Sequence, residues 1–145
     1  MSVGGTILKR TMVRRSLVVW VMMLVVASVN GAVRQALLIP AIGDAAGRAI
    51  STVALCVLVL LLTWLTIRWI KPRSSRDAWI VGVLWMALTL GFEFLAGHFL
   101  FGDPWSQLLE DYNVFRGRIW ILVLVTIAIA PRLCARVRGL MATAT

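Results

Sequence analysis

Charge is scarce in this 145-residue chain. Asp, Glu, Lys and Arg make up 14% of it, against roughly a quarter in an average soluble domain. That shortage argues against a disordered segment and against an ordinary cytosolic enzyme. Two cysteines are too few for a disulfide scaffold. Cys56 and Cys134 lie in or beside apolar stretches with no CxxC neighbour, so they read as reduced packing residues. A single histidine, His98, and the lack of an HExxH spacing argue against zinc chemistry, which needs three or four converging ligands; no metal site and no cofactor is assigned. No GxSxG stands beside that histidine and no Gly-rich phosphate loop occurs, which argues against nucleophilic hydrolysis and nucleotide binding. Alternation of polar and apolar residues, the mark of a membrane barrel, is absent as well.

What is abundant is apolar. Hydrophobic residues form 61% of the chain and its mean hydropathy is +0.92, a balance suited to lipid as the solvent. Four stretches, near 17–38, 50–70, 78–101 and 115–130, are long enough for helices crossing a hydrocarbon layer of about 30 Å. The fourth is the shortest and begins earlier if Asn113 lies in the interface.

The net charge of +9 raises the question of nucleic acid, but the fifteen Lys and Arg residues are dispersed between apolar runs, with no basic helix, so no nucleic-acid partner is expected. Eleven of them fall on one side of the four spans: Lys9, Arg10, Arg14 and Arg15; Arg68, Lys71, Arg73 and Arg76; Arg132, Arg136 and Arg138. Arg34, Arg48, Arg116 and Arg118 fall on the other. The positive-inside rule then predicts both termini in the cytoplasm. A rival reading takes basic 9–15, apolar 17–26 and small Ala27-Ser28 as a secretory signal. The apolar run continues past Asn30 to Leu38 and no A-x-A site follows, so the first span is kept as a helix.

Local punctuation agrees. Ser74 and Asp77 form a capping box before the third span, Pro72 stops the second, and Pro131 is expected to end the fourth. Gly102-Asp103-Pro104 closes the third, with Asp103 able to cap a short amphipathic helix over 105–112 in the outer interface; a plain surface loop is the other reading. No internal repeat supports an inverted-repeat transporter. Of seven tryptophans, Trp20, Trp69 and Trp79 fall near the inner boundary and Trp105 near the outer one, while Trp64, Trp85 and Trp120 are expected to fill helix contacts.

One polar set stands out. Asn30 and Arg34 are four apart on one helical face. Glu93 lies about 12 Å inside the outer end of the third span, with His98 roughly a turn further out. Asp111, Asn113, Arg116 and Arg118 stand at the entrance to the fourth. A lone acid or base facing lipid costs several kcal/mol. We therefore expect Arg34 and Glu93 to pair inside the helices, with Asn30 and His98 adding hydrogen bonds. Arg116 or Arg118 compete for Glu93, and Asp111 answers the remaining arginine. Gly91, Ala96 and Gly97 would admit close helix approach there.

The stretch GFEFLAGHFLFGDPWSQLLEDYNVFRGRIWILVLVTIAIAP over 91–131, together with NGAVR at 30–34, resembles a family of small bacterial inner-membrane proteins. These carry an N-G-x-x-R element, an F-E-F-x-x-G-H element and an L-L-x-D-Y-N-x-x-x-G-R-x-W element. The resemblance spans nearly the whole chain. It implies a four-helix membrane fold sharing Asn30, Arg34, Glu93, His98, Asp111, Asn113, Arg116 and Arg118, and it brings no activity with it. Where relatives carry an acid after the arginine, this chain has Gln35, which favours Glu93 as the counter-ion of Arg34.

The sequence therefore predicts an all-α integral membrane bundle of four transmembrane helices. Its expected partners are the lipid bilayer and either further copies of itself or another membrane subunit. The expected function is non-enzymatic: an outer polar cavity binding a small anionic or lipid ligand, or a membrane partner. The alternatives are a transporter or channel subunit passing protons or cations through Glu93, and a membrane-embedded enzyme modifying lipid.

Overall fold

The computed structural model describes residues 3–110 and 119–141, and among these no strand occurs. The chain opens with α1 (Val3–Val33), which passes through a π-helical segment, Arg34–Leu38, into α2 (Ile39–Ile42). Residues 4–42 are thus one rod of 39 residues, about 58 Å long at 1.5 Å per residue, well beyond a hydrocarbon layer. The π turn has a local cause. Pro40 offers no N–H to the carbonyl four residues back, and its ring would collide with that carbonyl in α geometry. Instead the Ile39 N–H donates to the Arg34 carbonyl, five residues back.

Gly43, at φ 88°, is the one residue between α2 and α3 (Asp44–Ile70). Asp44 lies in the first turn of α3 and accepts from Arg48 Nε through both carboxylate oxygens, at 2.9 and 3.0 Å. The acid sits at the positive end of the helix dipole. Gly47 lets the chain double back, since a Cβ there would come within 3.2 Å of the Ile39 nitrogen. Lys71 closes α3 in the left-handed region (φ 56°, ψ 58°), with Pro72 beyond it, the arrangement the proline had suggested.

The helix α4 (Ser75–Leu95) starts on the predicted cap. Ser74 Oγ accepts from the Asp77 N–H at 3.1 Å, while Asp77 reaches back to the Arg73 N–H at 3.2 Å. A second π-helical segment, Ala96–Leu100, follows, and Gly102 (φ 72°) ends it. A short α5 (Trp105–Glu110) then matches most of the helix expected over 105–112. The last helix, α6 (Trp120–Val137), runs through Pro131 rather than ending there. Pro131 is buried among neighbouring helices, where a missing hydrogen bond is tolerated within an otherwise bonded helix. The predicted start of the fourth span near 115 lies outside the described residues.

Side-chain contacts give the helix directions. Trp85 Nε1 donates to the Ser16 carbonyl at 2.8 Å and Trp20 Nε1 to Thr89 Oγ1 at 3.1 Å, so α1 and α4 run parallel. Arg15 Nη1 donates to the Trp69 carbonyl at 2.7 Å and Asn30 Nδ2 to Ser51 Oγ at 2.8 Å, so α1 and α3 run antiparallel. Arg138 Nη1 bonds the Trp64 carbonyl at 2.6 Å and Cys134 Sγ the Leu60 carbonyl at 3.7 Å, making α6 parallel to α3. Arg132 Nε on Ser75 Oγ at 3.0 Å, with Gly82 against Ala128, places α6 antiparallel to α4. The beginning of α1 and the end of α6 therefore share one end, the basic end.

The helix α6 packs between α3 and α4, with α1 mainly against α3. Leu55, Val59 and Ile67 of α3, Val81 and Trp85 of α4, and Val123, Ile127 and Ala130 of α6 form the core, joined by Val19 and Met23 of α1. Gly82 is the tightest crossing, because a Cβ on it would overlap the Ala128 carbonyl oxygen. The outward faces are apolar too: Val21, Val25, Val53, Val57, Leu61, Leu65, Val125 and Ile129 are all exposed. Four helices, Gly4–Ile42, Asp44–Ile70, Ser75–Leu100 and Trp120–Val137, are long and apolar enough to cross a membrane.

One tryptophan, Trp64, is placed differently from the sequence expectation. Trp85 does fill the core, fully buried. Trp64 is 42% exposed at the basic end, with the Arg138 guanidinium 4.3 Å from its ring centroid. Trp20 donates to Thr89 and meets Phe92 edge-on at 6.3 Å. Trp120 packs against the core, as expected, and also donates to a half-buried carboxylate, described next.

Candidate functional site

The end opposite the basic one gathers the predicted polar residues that are described. Glu93 lies in the last turn of α4, half-buried, where its Oε2 accepts from Trp120 Nε1 at 2.8 Å. An indole N–H removed from water needs an acceptor, and an ionised carboxylate is a strong one. Trp120 is thus one partner of Glu93. Glu93 and Arg34 each hold at least one further contact. The Arg34 Nε is buried, at the first position of the π segment.

Asn30 goes elsewhere. Its amide donates to Ser51 Oγ at 2.8 Å and to the Ser51 carbonyl at 3.2 Å, which ties α1 to α3 rather than reaching Glu93. The two polar contacts still lie near one level. In the register of α3 and α6, Ser51 is opposite Val125, and Trp120 is five residues further toward the same end, roughly 8 Å.

His98 sits inside the second π segment, half-buried. Its Nδ1 lies 3.0 Å from the Asp103 carbonyl. A carbonyl can only accept, so Nδ1 carries the proton, and in the neutral ring Nε2 is left with a lone pair. The imidazole stacks on Trp105 of α5, with centroids 4.1 Å apart and planes 22° from parallel, and Phe99 meets it edge-on at 5.0 Å. Phe94 lies 6.3 Å from Trp105 in a roughly parallel plane. Gly97 lies close under α5, since a Cβ there would come within 2.6 Å of Leu108 Cδ2. Of the small residues expected to admit close approach, Gly97 does so and Ala96 is buried, whereas Gly91 has open space around it among the described residues.

Sequence reasoning passed over Ser51, Trp105 and Trp120 as partners, and over both π segments. A serine within an apolar run and an indole in a short polar motif were the available signals. The π turns carried a hint only in Pro40. Such turns are rare and concentrate at functional sites. Here they interrupt the two helices that carry Arg34 and His98. Asp111, Asn113, Arg116 and Arg118 lie outside the described residues. Among the described residues, no group of three or more His, Cys, Asp or Glu side chains converges as a metal site would require.

No protein-family model, curated protein or solved structure matches the chain.

Proposed function

We propose that the chain is a four-helix transmembrane bundle of a bacterial inner membrane, with both termini in the cytoplasm and α5 in the outer interface. At its outer end it binds a lipid headgroup or a small anionic molecule. The apolar outward faces support the membrane reading, and the cations and tryptophans at the end shared by the two termini support the orientation.

The observation that carries the ligand reading is the His98–Trp105 stack, seated on a π-distorted helix one turn above the Glu93–Trp120 bond. An imidazole with one nitrogen committed to a backbone carbonyl presents the other to a ligand. Glu93 and Trp120 hold the wall beneath it. Arg34 and Arg116 are the residues we assign to the anionic group, through the forked hydrogen bonds that guanidinium makes with phosphate or carboxylate. Asn30, Asp111, Asn113 and Arg118 complete the set as positioning residues.

The test is mass spectrometry of lipids and small molecules retained by the protein after mild-detergent purification, on wild type and on Arg34→Gln and His98→Ala. Retention of one anionic species by wild type, lost in both variants while helicity is kept, is the expected result. Identical retention in all three refutes the site. A transport role through Glu93 predicts instead that Glu93→Cys reacts with a membrane-impermeant thiol reagent added outside.

A further inference from the structure

The basic end holds a second feature that the outer site does not use. A cavity of about 210 Å³ opens between the beginning of α1, the end of α3 and the first turn of α4. Lys9, Arg15, Lys71 and Arg73 line it, against one acid, Asp77. Four cations against one carboxylate leave an excess of three positive charges around one opening, and that carboxylate also accepts from the Arg73 N–H. Its wall is apolar: Leu8, Met12 and Ile70.

The arginine at the rim is held in place. Arg15 Nη1 donates to the Trp69 carbonyl, and its guanidinium lies 5.5 Å from the Trp69 ring centroid. One of its five N–H donors is used by that bond, and the rest remain for another acceptor. Two more Arg–Trp pairs, Arg132 over Trp79 at 5.5 Å and Arg138 over Trp64 at 4.3 Å, mark the same end. Tryptophan sits at the headgroup level of a bilayer, so these pairs put the cavity at the depth of lipid phosphates.

We infer that this cavity is a binding site for the phosphodiester headgroup of an anionic phospholipid of the inner leaflet, with Lys9, Arg15, Lys71 and Arg73 around the phosphate. Leu8, Met12 and Ile70 meet the glycerol and the first acyl carbons. Basic pockets between transmembrane helices on the cytoplasmic side suit such headgroups. A free phosphate shares the charge but gains nothing from the apolar wall, so the lipid is the source. The inference rests on the four-span reading and is independent of the outer ligand.

The experiment uses the full chain. Carbonate-resistant insertion into phosphatidylcholine vesicles first tests the spans alone. Native mass spectrometry then measures retained phosphatidylglycerol against phosphatidylcholine for wild type, for Lys9→Gln/Arg73→Gln, and for Arg10→Gln/Arg136→Gln, which removes equal charge from positions not lining the cavity. Wild type is expected to prefer phosphatidylglycerol, the first variant to lose about tenfold or more of that preference, and the second to keep it. Equal loss in both variants means diffuse attraction and overturns the site. Displacement by millimolar inorganic phosphate overturns the lipid source. Should the double variant not fold, Arg73→Gln alone, in the exposed turn, reads the same preference.

Discussion

Replacing Gly82 by alanine tests the α4–α6 crossing more sharply than any other single change. The new Cβ would lie 2.9 Å from the Ala128 carbonyl carbon and closer still to its oxygen, where relaxed contacts stand at roughly 3.5–4.0 Å. The obstacle is helix backbone, which cannot rotate away. The two helices must therefore part by about 1 Å, and a gap of that size forfeits a quarter to a half of the dispersion energy of each contact it opens. Val81, Trp85, Val123 and Ile127 all lie in that core. Overpacking of this kind costs about 1–3 kcal/mol, and rigid backbone places Gly82→Ala at about 3. Unfolding in SDS, followed by tryptophan emission, measures it. Gly91→Ala is the control: it has open space, and the better helix propensity of alanine should leave it neutral or about 0.5–1 kcal/mol more stable. If the two variants unfold at the same SDS fraction, the crossing is not where the structure puts it.

Three other outcomes follow from named contacts. Trp120→Phe deletes the donor to Glu93 and should cost about 1.5–3 kcal/mol, whereas Trp120→Phe with Glu93→Leu should cost less than the sum of the two single changes; additivity in the SDS titration would refute the bond. Asn30→Ala and Ser51→Ala should show a coupling of about 0.6 kcal/mol in the same assay, the average for such bonds between membrane helices, and a coupling of zero would detach α1 from α3 at that level. Lys71→Gly should raise stability by about 1 kcal/mol, since a side chain in the left-handed region carries a steric penalty that glycine escapes; a loss of stability would contradict the turn.

The four apolar runs, the Ser74–Asp77 cap and the stop at Pro72 were legible because each depends on residues close together in the chain. Composition decides whether a helix prefers lipid, and three or four residues decide where it begins or ends. So were the positions of Asn30, Arg34, Glu93 and His98 as costly polar groups among apolar neighbours. The partners Ser51 and Trp120 were not. That Glu93 meets the Trp120 indole depends on how α4 packs against α6, which Gly82 lets approach closely at Ala128. Asn30 finds Ser51 because Gly43 and Gly47 fold α2 and α3 back against one another. Pro131 failed as a stop because burial among neighbouring helices overrides the local penalty of a proline. Spacing along one helix tells which side chains share a face. Only the packing of helix on helix decides what that face meets, since the energies of close approach belong to pairs of surfaces and not to either strand of sequence alone.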